Sequence, residues 1–119
     1  MKKDVSCVFL LFVLAILGGL IFSGCEELES GEGTIRLMNN STNVIIVYCA
    51  VENSFGRIIE ERHININPGA SVATIITTGI YTIYLEDQHG DGWETKSSVT
   101  VRKDETVEVR FPADFRVAN

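Results

Sequence analysis

Eight consecutive residues, Asp87-Gln88-His89-Gly90-Asp91-Gly92-Trp93-Glu94, gather three carboxylates, two glycines and the chain's single tryptophan. Asp87 and Asp91, with Glu94 as a third acid, offer oxygen ligands, and turns at Gly90 and Gly92 expose backbone carbonyls. Calcium takes six to eight such oxygens at about 2.3–2.6 Å in tolerant geometry, which makes Asp87, Asp91 and Glu94 candidate metal ligands and Trp93 a candidate ligand-binding surface. The spacing is not that of an EF-hand, which needs acids at alternating positions and a glutamate at the twelfth. The same residues also read as a long hairpin turn. Gly90 and Gly92 then supply positive φ, Asp87 and Asp91 make side-chain turns, and Trp93 caps the edge of a sheet. The turn is the expected outcome, with no cofactor required.

Other residues capable of chemistry are scattered. His63 and His89 match no zinc or triad spacing, and adjacent Glu60 and Glu61 point to opposite faces if the segment is extended. No phosphate-cradling glycine loop, nucleophile elbow or cofactor fingerprint is present. Cys49 sits in the apolar run Val44–Val51, where it reads as a small hydrophobe rather than a thiolate with a histidine partner. Tyr48, Tyr81, Tyr84 and Trp93 suggest a carbohydrate platform, but Tyr81 and Tyr84 fall on opposite faces of one strand, so the four cannot share a surface. No catalytic residue is assigned, and a non-enzyme is expected.

The elements that must carry these residues have a period of two. Thr34–Leu37, Val44–Val51, Arg57–Asn67, Ser71–Thr77, Ile80–Glu86, Ser97–Val101 and Thr106–Phe111 are strand-like, and Asn39–Asn43, Asn67-Pro68-Gly69 and Lys103–Glu105 punctuate them. The one helix-like stretch, Arg57–Arg62, is assigned to a strand or irregular connection. Seven short strands at this spacing predict an all-β protein, a single antiparallel two-layer β-sandwich. Tyr81, Ile83 and Leu85 share one face, joined in the core by Ile35, Leu37, Ile46, Val72, Ile75, Val99, Val101, Val107, Val109 and Phe111.

The chain's 119 residues carry a net charge of −6, which argues against a nucleic-acid binder, since such proteins present a basic patch to phosphate. Its N-terminus differs from the rest. Lys2 and Lys3 precede a nearly unbroken apolar stretch, Val5–Phe22, and the small residues Ser23 and Gly24 lead to Cys25, the pattern of an export signal. Ile21-Phe22-Ser23-Gly24-Cys25 resembles the lipobox of bacterial lipoproteins, with Phe22 where leucine is usual. The resemblance implies cleavage before Cys25 and lipidation of its thiol, so the membrane is a partner through that lipid. The alternative is an uncleaved membrane anchor, since 18 residues lie at the lower edge of spanning length. Both readings put the domain on the non-cytoplasmic side.

The expected organisation is a signal peptide at residues 1–24, a lipidated cysteine and acidic tether at 25–33, and the sandwich at 34–117. Loss of Asp4, Lys2 and Lys3 leaves the mature chain near −7. Cys7 departs with the signal and Cys25 takes lipid, so no intrachain disulfide can form. Glu26 after the cysteine, in place of an aspartate, tilts the expectation toward the outer membrane in a diderm.

The Asp87-x-x-Gly90-Asp91-Gly92-Trp93 segment, following Tyr81-x-Ile83-x-Leu85, resembles a hairpin motif of secreted and cell-surface β-sandwich modules. Asn39–Thr42, Pro68–Ser71 and Gly79-x-Tyr81 look like small exported β-sandwich proteins. These likenesses imply an immunoglobulin-like or transthyretin-like sandwich. The function expected is that of a lipid-anchored cell-envelope protein with a non-catalytic binding or structural module and an envelope protein or glycan as partner. A calcium-dependent adhesin-like module and a small envelope hydrolase are the alternatives.

Overall fold

The computed structural model describes residues 28–118, so the export segment and Cys25 lie outside the described residues. Those residues contain nine strands and no helix: β1 (Glu32–Asn39), β2 (Ile46–Asn53), β3 (Ile58–Arg62), β4 (Ser71–Thr77), β5 (Gly79–Asp87), β6 (Gly92–Thr95), β7 (Val99–Val101), β8 (Thr106–Phe111) and β9 (Phe115–Val117). They form a three-stranded sheet, β4-β1-β8, and a six-stranded sheet, β3-β2-β5-β6-β9, with β7 also paired to β5.

Alternation builds the core. In β5, Tyr81, Ile83 and Leu85 are buried on one face, and they meet Ile35 and Leu37 of β1, Ile46 and Val51 of β2, and Val109 and Phe111 of β8 in one cluster. Val99 and Val101 belong to it, while Val72 and Val107 pack against it half-buried. Apolar area of this kind contributes about 25 cal/mol per Å² removed from water.

Four sequence expectations need correction. Ile75 is 70% exposed, and its neighbour Ile76 enters the core instead. Val72 and Ile75 stand three positions apart, so a strand cannot turn both inward. The sandwich is not wholly antiparallel, because β1 and β8 run parallel, with Leu37 opposite Val109. The supposed tether loses Glu32 and Gly33 to β1, whose first pairing is Glu32 with Thr77. Beyond Arg62 the third segment leaves the ladder, and Ile66 makes only an isolated bridge to Ile46.

Two strands went unrecognised in the sequence. β6 lies within the supposed loop, and β9 follows the Pro112–Asp114 turn. β6 and β7 both pair with β5 on its side away from β2, and they are separated by Lys96, Ser97 and Ser98, where the chain leaves the ladder.

Asn39 is fully buried at the end of the inward row of β1. Its Nδ2 donates to the carbonyls of Val44 and Ile66, both at 2.8 Å, and its Oδ1 accepts from the Ser41 amide and hydroxyl. All four bonding positions of the amide are used, which offsets the cost of burying it.

Candidate functional site

Asp87 ends the inward row of β5, 4% exposed, at the mouth of the β5–β6 hairpin. Its Oδ1 accepts the backbone N–H groups of His89 at 2.9 Å and Asp91 at 3.1 Å, and its Oδ2 accepts the Trp93 indole N–H at 3.1 Å. Main-chain bonds from Asp87 N to Asp91 O and from Gly90 N to Asp87 O close the turn, with Gly90 at φ +83°. Burial works to raise the Asp87 carboxyl. The donors from Trp93, Asp91 and His89 outweigh it and hold the group below its ordinary value.

Trp93 lies opposite Leu85 and therefore faces inward, its ring edge-on to Phe111 at 5.1 Å between centroids. Phe111 in turn packs on Phe115 at 5.8 Å. The tryptophan is thus a half-buried plug at the end of the sandwich, not an open stacking surface.

The hairpin is also tied sideways by Gln88, a residue the sequence did not single out. Its amide N–H donates to the Ile45 carbonyl at 3.0 Å, its Oε1 accepts from Ile45 N at 2.8 Å, and its Nε2 donates to the Asn43 carbonyl at 3.1 Å. Glutamine here behaves as one more rung of ladder, a role with no period to reveal it.

The three candidate metal ligands do not converge. Asp87 points into the sandwich, whereas Glu94 pairs with Tyr84 on the opposite face and holds Arg116 at 2.8 Å. Asp91 is exposed and serves the turn through its backbone. Among the described residues no group of three or more His, Cys, Asp or Glu side chains is placed to share an ion. Gly90 fits the positive φ expected of it, but Gly92 does not adopt one.

The tyrosines separate by face. Tyr81 is buried inside, while Tyr48 and Tyr84 stand on the outer face of the six-stranded sheet, because Tyr48 opposes Glu86 and Ala50 opposes Tyr84. Tyr48 donates to Glu61 at 2.7 Å and Tyr84 to Glu52 at 3.1 Å. The bond to Glu61 pushes the Tyr48 phenol up, and burial does the same for Tyr84. His63 leans on Tyr48 with ring centroids 5.0 Å apart. Cys49 faces the core on the other side of the same strand. Burial pushes its thiol up to about 11, against a lowering by Arg62, and this is the setting of an inert cysteine.

The space beside β7, opened where the chain leaves the ladder at residues 96–98, forms a groove of about 440 Å³ against β8. Val99, Val107 and Val109 line it together with Lys96, Ser97, Ser98, Thr100 and Glu108. That volume suits a small ligand or a few residues of a longer one. Neither histidine nor cysteine lines the groove, and the 87–94 segment takes no part in it. In the sequence Ser97 and Ser98 looked like the start of a strand, and only the break in pairing exposes them.

Comparison with protein-family models, with curated proteins and with solved structures finds no match.

Proposed function

We propose that this chain is a lipid-anchored cell-envelope protein, held on the non-cytoplasmic side through Cys25, whose sandwich is a non-catalytic binding or structural module. The observation that carries the reading is the Ile21–Cys25 junction, followed within seven residues by the first strand of a self-contained domain. A lipid anchor attaches a mature chain of net charge near −7 without any basic patch, which an anionic surface would otherwise demand.

Two features support the module being non-catalytic. Asp87, the most buried acid of the candidate segment, has its oxygens occupied by three donors of its own hairpin. The groove beside β7 offers hydroxyls, the Lys96 ammonium and the carboxylates of Glu108 and Asp114 over valines, a surface that suits holding a polar envelope ligand. An envelope protein or glycan is the partner proposed for it.

Metabolic fatty-acid labelling tests the anchor: label enters the wild-type chain and is lost in Cys25→Ser. A mature N-terminus elsewhere than Cys25 overturns the reading. Pull-down from solubilised envelope and from purified peptidoglycan, with Ser98→Arg filling the groove, tests the module. Turnover in an esterase, glycosidase and protease screen that disappears with one point substitution would make it an enzyme.

A further inference from the structure

The β2–β3 hairpin ends in Ser54-Phe55-Gly56, and Phe55 is 91% exposed. This is no loose loop. Asn53 Oδ1 accepts the amides of Phe55 and Arg57, both at 3.0 Å, the Asn53 carbonyl accepts Gly56 N at 3.0 Å, and Gly56 takes φ +81°. A built turn therefore presents a large apolar ring to the outside, an arrangement that costs free energy in water unless something covers it.

The position of the tip decides what it can reach. Asn53 pairs with Tyr81, two residues from the β4–β5 turn, and in that turn Thr78 N donates to the Gly31 carbonyl at 2.9 Å. The hairpin tip and the point where the N-terminal chain enters β1 thus share one end of the sandwich. Six residues, Glu26–Gly31, separate Cys25 from β1, a reach of about 20 Å when fully extended. Other exposed apolar residues fall in the same half: Ile58 and Ile59 beside the tip, Ile75 opposite Thr34, and Ile80 at the start of β5. Charges at this end lean acidic, with Arg57, Arg102 and Lys103 against Glu29, Glu32, Glu52, Asp104 and Glu105. Attraction to anionic headgroups is not the means.

We propose that the Phe55 hairpin tip docks into the interfacial region of the bilayer that holds the lipid anchor, fixing the domain with its 87–91 end pointing away. The inference rests on the anchor reading. It adds an orientation and a second, apolar point of attachment, where the acyl group alone would leave the domain free to tumble.

The test uses the full acylated chain in phosphatidylcholine vesicles, with and without lipids brominated near the headgroup. F55W adds a tryptophan at the tip, and wild-type Trp93, near the opposite end, is the internal reference. The expected result is an added, blue-shifted emission that brominated lipid removes, with Trp93 unquenched and salt without effect. Added emission indifferent to bromine overturns the proposal; if it is also blue-shifted, a second copy of the chain covers the tip. The anchor is checked separately, by the mass of the N-terminal peptide and by sedimentation with vesicles. An unmodified chain that stays in solution removes both readings, whereas an acylated, sedimenting chain with an unquenched tip removes only this one.

Discussion

The indole N–H of Trp93 donates to Oδ2 of Asp87 at 3.1 Å, so the chain's one tryptophan and the most buried acid among the described residues close a single hairpin from opposite strands. The other carboxylate oxygen receives two backbone amides of the turn between them. Asp87 therefore sets both the shape of the turn and the seat of the aromatic plug.

Replacing Asp87 with Ala leaves the half-buried Trp93 indole N–H and the turn amides of His89 and Asp91 without their acceptor, at a cost of about 1–3 kcal/mol. Urea denaturation followed by Trp93 emission measures it. Acid acts on the same group. Its folded carboxyl lies below its ordinary value, so it contributes stability above the unfolded value of about 4 and loses that contribution as pH falls through the folded one. Wild-type denaturation midpoints should fall on acidification through this window, and those of Asp87→Asn should fall less.

Calcium up to millimolar concentration should leave Trp93 emission and the melting temperature unchanged. Asp87 is turned inward and Glu94 outward, so no arrangement of this hairpin offers an ion both. A calcium-dependent rise in melting temperature, abolished by Asp91→Asn, would contradict that geometry.

Two glycines should differ from a third. Gly90→Ala forces a side chain into φ +83° and should cost about 1–2 kcal/mol. Gly33→Ala drives a methyl into the Arg102 carbonyl and to 2.7 Å from Val101 Cγ1, and should cost about 1–3 kcal/mol or more. At Gly92 the added methyl meets Ala118 at 3.8 Å, an ordinary contact, and Gly92→Ala should be the mildest of the three. Thermal melts of the three variants rank them.

Cys49 should resist thiol reagents in the native protein at pH 8, since burial holds its thiol near 11, and should react on unfolding in urea. Mass spectrometry of the alkylated chain separates the two states.

The inward rows of β5, β7 and β8 were legible because strict alternation of branched and aromatic residues leaves no other assignment. Ile75 was misread for want of a register: Ile75 and Ile76 are equally apolar, and only pairing of Thr34 with Ile75 and Gly33 with Ile76 decides which faces in. β6 was hidden because Gly92-Trp93-Glu94-Thr95 is too short to show a period, and Gly92, so close to Gly90, suggested a turn that in fact ends at Asp91. Asn39 and Gln88 escaped notice for a different reason. Their contribution is made through contacts 27 and 43 residues distant, which no local pattern announces.

The central position of β1 has a consequence for how the molecule is made. Its antiparallel neighbour begins at Ser71 and its parallel neighbour at Thr106, so the first strand waits for almost the entire domain before both of its edges are satisfied. Pairings this distant in sequence fold late and slowly. A polypeptide threaded N-terminus first through a ribosome tunnel or a translocation pore stays open until its last strands are released. Removal of the residues after Glu105 would leave β1 with an uncovered edge, a template for pairing with other chains. A chain ending at Glu105 would therefore carry, in its own first strand, the surface on which other chains could assemble.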